Sequence, residues 1–152
     1  MKITKVILSV VTAIGITACS SLVANLPSND ELLREYTQQD GRECIRDRDI
    51  RGFGVLDNDV ISVDSRTRGE YFLMTTLYRC HSLGVSAQVA FVGKYPEFCA
   101  GGSDKINTGE EACPIKSIFK FESREKAFEA FTAISEKRDQ LRKELKEDSE
   151  ED

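Results

Sequence analysis

The hydrophobic pattern of the chain changes character three times. It opens with an apolar run, Val6 to Ile16, which holds no charged residue and follows Lys2 and Lys5. From Ile50 the period becomes two. Ile50 to Leu56 predicts a first strand, with Phe53 and Val55 on one face and Gly52 and Gly54 on the other. Glycines inside a strand mark a bend, a bulge or close packing. Asp57-Asn58-Asp59 predicts a turn, Val60 to Val63 a short strand, and Ser65 to Gly69 a second turn. Glu70 to Tyr78 is rich in aromatic and β-branched residues, with Tyr71, Leu73, Thr75 and Leu77 on one face. Val85, Ala87, Val89 and Phe91 alternate with Ser86, Gln88 and Ala90, the clearest half-buried strand pattern in the chain. A short strand is expected over Lys105 to Thr108, and Ile115 to Phe121 alternates again.

After Phe121 the period becomes helical. Ser123 is placed to cap a helix, with Glu125 in its first turn facing the positive helix end. Ala127, Phe128, Phe131 and Ile134 form the stripe expected to dock on the sheet. Beyond Glu136 only Leu141 and Leu145 continue it. The expected class is α+β, mainly β: a small antiparallel β-barrel or strongly curved sheet of five or six strands, with a C-terminal helix and disulfide staples.

The first run ends at Ile16-Thr17-Ala18-Cys19, followed by Ser20-Ser21. It is too short for a membrane span of ~20 residues. Basic residues, an apolar segment and small residues before a cysteine give the pattern of a bacterial lipoprotein signal. In that pattern residues 1–18 are removed and Cys19 carries the lipid, palmitate among its acyl groups. Ser20, rather than Asp, directs the expectation to the periplasmic face of the outer membrane. Several acyl chains hold a protein stably where a single chain binds only marginally. Residues 19–42 are then expected to form a lipidated, flexible tether. Within it, Asp30 to Tyr36 has the pattern of one or two helical turns gripped by Leu32 and Leu33. Residues 43–136 would form the domain, and residues 137–152 a charged helix end with a disordered acidic tail from Glu147.

Losing Lys2 and Lys5 takes the net charge from −5 to −7. A net-acidic chain is poorly suited to nucleic acid or to anionic lipid. The expected partners are therefore the membrane, through the anchor on Cys19, and another envelope protein. Cys44, Cys80, Cys99 and Cys113 remain after Cys19. Four cysteines in an oxidising compartment predict two disulfides, with three possible connectivities. The pairing expected is Cys99–Cys113, closing the turn-rich loop with Gly101, Gly102 and Gly109, and Cys44–Cys80 by elimination. No CxxC pair or Cys/His cluster has zinc spacing, so no metal and no cofactor is expected.

The segments around these cysteines carry a family resemblance. Cys44-Ile45-Arg46, Ile50 to Asp57, Tyr71 to Leu77, Cys80-His81-Ser82-Leu83, Val89-Ala90-Phe91, Cys99 to Ile106 and Cys113 to Ile118 resemble the exported Gram-negative family called domain of unknown function 6491. The resemblance implies an exported, cysteine-bridged domain with a trailing helix. It implies no catalytic residue.

Candidate chemistry is sparse. Gly101-Gly102-Ser103-Asp104 offers an inward nest of N–H groups for an anion, with Asp104 equally able to ligate a hard cation, or else a tight loop in which Asp104 bonds its own backbone. His81 is the sole histidine and follows Cys80. Arg42, Arg46, Arg48 and Arg51 are interleaved with Glu43, Asp47 and Asp49, which predicts salt bridges on a solvated face. Asp57, Asp59 and Asp64 lack EF-hand spacing. No catalytic residue is assigned. The leading expectation is a non-enzymatic binding or scaffolding module. The alternative is a small hydrolase or metal-dependent enzyme using Asp104, His81 or Asp57. A compact polar pocket joining those three would favour the enzyme; an exposed apolar groove or sheet edge would favour binding.

Overall fold

A computed structural model describes residues 26–150 of the chain. The expected signal peptide, Cys19 and the start of the tether lie outside the described residues, as do Glu151 and Asp152. The molecule is mainly β, a six-stranded antiparallel half-barrel with a long C-terminal helix. Strands β1 (Cys44–Arg46), β2 (Ile50–Asp57), β3 (Val60–Ser65), β4 (Tyr71–Thr76), β5 (Ala90–Val92), β6 (Glu97–Cys99), β7 (Lys105–Asn107) and β8 (Ala112–Phe121) follow helix α1 (Asn29–Thr37) and precede helix α2 (Arg124–Glu150). The main sheet has the order β2-β3-β4-β8-β7-β5, and β1 and β6 form a separate ribbon. β8 is long enough to serve two partners. Its first residues pair with β7, and Ile115 to Phe121 pairs with β4.

Each face of the sheet buries its own core, as period-two alternation requires. Ile61, Val63, Phe72, Met74 and Ile118 meet Ile45 and Phe98 of the ribbon, together with Leu83 and both members of the Cys80–Cys113 pair. On the opposite face Tyr71, Leu73 and Phe119 meet Leu32 and Leu33 of α1 and Ala127, Ala130 and Ile134 of α2.

The expected tether contains an ordered helix. α1 begins in a capping box. The Ser28 hydroxyl accepts the Glu31 N–H, and the Glu31 carboxylate accepts the Ser28 N–H at 2.7 Å. Leu32 and Leu33 are fully buried, and the chain from Gly41 onward already runs beside β8, so the domain starts before Cys44. At the other end α2 continues to Glu150 instead of fraying at Glu147.

The strand expected over Val85 to Phe91 forms only at Ala90–Val92. Leu83–Val85 instead make a single 3-10 turn, in which the Val85 N–H donates to the Ser82 carbonyl at 3.3 Å and the Ser86 N–H to the Leu83 carbonyl at 3.4 Å. Leu83 plugs the core and Val85 is left 81 % exposed. The ribbon strands at Cys44–Arg46 and Glu97–Cys99 were not expected. Three residues are too few to show a period.

The disulfides also differ from expectation. They join Cys44 to Cys99 and Cys80 to Cys113, not Cys44 to Cys80 and Cys99 to Cys113. The ribbon register sets Cys44 directly opposite Cys99, with Cα atoms 4.3 Å apart. Cys113 lies on β8, next to β4. The chain leaving β4 follows β8, with the Leu77 N–H on the Pro114 carbonyl, and so delivers Cys80 to Cys113.

Candidate functional site

The loop between β6 and β7 is the site that the sequence singles out. Gly101 and Gly102 take φ values of 120° and 83°, which only glycine adopts without strain. Their N–H groups do not form an open nest. Gly101 donates to the Lys116 carbonyl and Gly102 to the Ile115 carbonyl at 2.7 Å. The Asp104 carboxylate accepts the Cys99 N–H at 2.8 Å, while its own carbonyl accepts the Ile115 N–H. Ser103 and Asp104 line a cleft of about 350 Å³ with Lys94, Tyr95 and Glu97. Asp104 thus staples the loop to β6 and β8.

His81 is exposed. Asp57 lies at the end of β2 inside a polar cluster that anchors α1. Its carboxylate accepts from the Asn58 N–H, the Asn29 amide and the Arg79 guanidinium. The Asn29 amide also donates to Asp59 at 2.8 Å. Asp30 is buried beside it, accepting from the Thr75 hydroxyl at 3.0 Å and paired with Arg34 and Lys116, each at 3.1 Å. Burial acts to raise the Asp30 carboxyl, but hydrogen bonds from Ser117, Lys116 and Arg34 outweigh it and hold the group below its ordinary value. For Asp57 burial again acts upward, and the Asn58 N–H, Arg79 and Asn29 bring the net shift down. Asp104, Asp57 and His81 therefore sit in three separate surroundings.

Two groups bring a carboxylate within 4.8 Å of two sulfurs: Glu97 with Cys44 and Cys99, and Glu111 with Cys80 and Cys113. In both, the sulfurs are bonded to each other and offer no thiolate to a metal.

The most open part of the sheet lies elsewhere. α2 packs on β4 and β8 through Ala127, Ala130 and Ile134, and between its Arg124 and Phe128 and the strands β2 and β3 a groove remains on the same face, where Val60 and Ser62 are buried. Register places Gly52 beside Asp64 and Tyr71, and Gly54 beside Ser62 and Leu73. Small side chains therefore floor a groove of about 350 Å³, bounded by Leu56, Tyr71, Phe128 and Arg124. A Cβ added at Gly52 would meet nothing within 4 Å. β2 is also the end strand of the sheet, and its register shifts at both ends. The groove runs into a second cleft of about 440 Å³ beneath the β3–β4 turn, where Arg51, Arg66, Arg68 and Arg124 converge. Sequence reading missed this convergence. Asp64 and Glu70 flank Arg66 and Arg68 and make the segment look neutral.

A family model of unknown function, DUF6491, matches residues 2–140. The chain belongs to that family. The family description assigns no activity. No curated protein and no solved structure matches the chain. Among the described residues no helix is long and apolar enough to cross a membrane.

Proposed function

We propose that this protein is a lipid-anchored binding module of the bacterial envelope, without catalysis of its own. Acylated Cys19 would hold it at the periplasmic face of the outer membrane, where it would engage another envelope component. The observation that carries the binding reading is the glycine-floored groove between α2 and the end strand β2. The anchoring part rests on the run from Lys2 to Cys19. Two disulfides fit an extracytoplasmic compartment. The alternative, an envelope hydrolase or metal-dependent enzyme, draws no support from Asp104, His81 and Asp57, whose partners are structural or separate.

Both parts are open to test on the protein isolated from its native envelope. Mass spectrometry is expected to find a mature chain that begins at acylated Cys19, and Cys19→Ala should block maturation. An unmodified Cys19 would end the anchoring argument. The same preparation is expected to show no turnover in hydrolase panels with or without divalent metals. Activity abolished by His81→Ala or Asp104→Ala, with the fold intact by circular dichroism, would replace the binding reading with the enzymatic one.

A further inference from the structure

Seven of the eleven arginines of this chain are held in ion pairs with carboxylates. Among the described residues the other four, Arg42, Arg66, Arg68 and Arg124, have none. Three of those four line the cleft under the β3–β4 turn. The acids nearest them are committed elsewhere. Asp64 receives the Arg51 Nε–H at 2.9 Å, and Glu70 is paired with Lys120 at 2.6 Å. Glu122 is the one remaining acid of the lining, set against three guanidinium groups.

The cleft is also braced. Gly69, at φ 77°, closes the turn, and the Thr67 N–H bonds the Ser65 hydroxyl. Arg66 donates its Nε–H to the Ile50 carbonyl at 3.2 Å, which holds its stem beside the cleft that it lines. Arg124 lies over the Phe128 ring, 5.0 Å from its centroid. The first turn of α2 adds little, because Ser123 and Glu125 already cap it. The volume, about 440 Å³, falls within the ~300–1,000 Å³ usual for small-ligand clefts.

We propose that Arg66, Arg68 and Arg124 form a binding site for a phosphate group, carried on free phosphate or on a lipid headgroup. Guanidinium groups suit this chemistry because their planar forks pair with oxyanions through two parallel N–H donors. In a chain of net charge −5 the attraction is local, since exposed charges are screened beyond ~8–10 Å at ordinary salt. The proposal deepens the binding-module reading at the same groove, but the binding is measured independently of any envelope partner.

The test uses the full chain in dodecyl maltoside micelles, followed by backbone amide shifts at fixed ionic strength. In one arm inorganic phosphate is added; in the other the micelles are doped with phosphatidylglycerol. Saturable shifts confined to residues 64–70 and 122–125 are expected in at least one arm, and the arm that responds identifies the source. Arg68→Gln with Arg124→Gln should weaken the response at least tenfold, while amides of the β1–β6 ribbon keep their positions. No saturable shift in either arm, or an equal response in the double variant, would overturn the proposal. Such a failure would leave the groove's role in partner binding to its own test.

Discussion

Single residues decide how this surface is charged. Arg66 and Arg68 stand between Asp64 and Glu70 in sequence. The fold hands those acids to Arg51 and Lys120. That is a long-range outcome, and no local pattern announces it. The opposite holds for Asp104, for which a tight loop held by its own side chain was among the readings its sequence context allowed. The buried acids give a pH prediction. Asp30 and Asp57 both titrate below their ordinary value of 3.8 when folded. The unfolded chain therefore takes up protons first as pH falls, and acid favours unfolding. Urea unfolding is expected to give a stability contribution from these two groups that is fully present above about pH 5 and is lost as pH falls through 3.8 and below. Asp30→Asn and Asp57→Asn should each flatten part of that loss. Unchanged acid sensitivity in both variants would show that other groups carry it.

Elements were legible where the period ran long enough. The expected strands Ile50 to Leu56, Val60 to Val63, Glu70 to Tyr78 and Ile115 to Phe121 each overlap a strand of the fold, at Ile50–Asp57, Val60–Ser65, Tyr71–Thr76 and Ala112–Phe121. The three-residue strands of the ribbon were not legible. The alternation at Val85 to Phe91 misled because Leu83 buries better from a 3-10 turn than Val85 would from a strand. α1 is the informative case. Its two leucines seemed too weak a grip, yet the capping box and the anchoring of Asn29 and Asp30 add to them. Leu33→Ala is expected to cost ~2–5 kcal/mol by denaturant unfolding, as for a buried leucine in a core. A loss near zero would mean that α1 is an appendage after all. On α2, Ile134→Ala should cost a similar amount, whereas Phe131→Ala should cost less than the ~3–5 kcal/mol of a fully buried ring, because Phe131 is only half-buried. Removing residues 147–152 should stay within ~0.5 kcal/mol, since the side chains of Glu147 and Asp148 are exposed.

At the scale of the whole molecule, one disulfide closes the β1–β6 ribbon on itself and the other ties the segment after β4 to β8. They span 55 and 33 residues of sequence. Chain-entropy arguments make each worth roughly 4 kcal/mol against the unfolded state. Non-reducing peptide mapping should recover Cys44 with Cys99 and Cys80 with Cys113; a Cys99–Cys113 peptide would contradict the ribbon register. Which cysteines pair was not readable from spacing, because the choice depends on β6 leaving the main sheet to join β1. The half-barrel and its trailing helix were readable as a class, while the groove was not. It lies between α2, which packs on β4 and β8, and the glycines of β2, a matter of packing rather than pattern. The central claim is that this groove engages a component of the envelope. It is tested most directly by placing a photo-crosslinking side chain at Gly52, where an added Cβ meets nothing within 4 Å, and at the exposed Val85 as a control. In living cells, irradiation is expected to give a discrete crosslinked species from position 52 that is absent from position 85. Identical patterns from both positions, or none from position 52, would contradict the account.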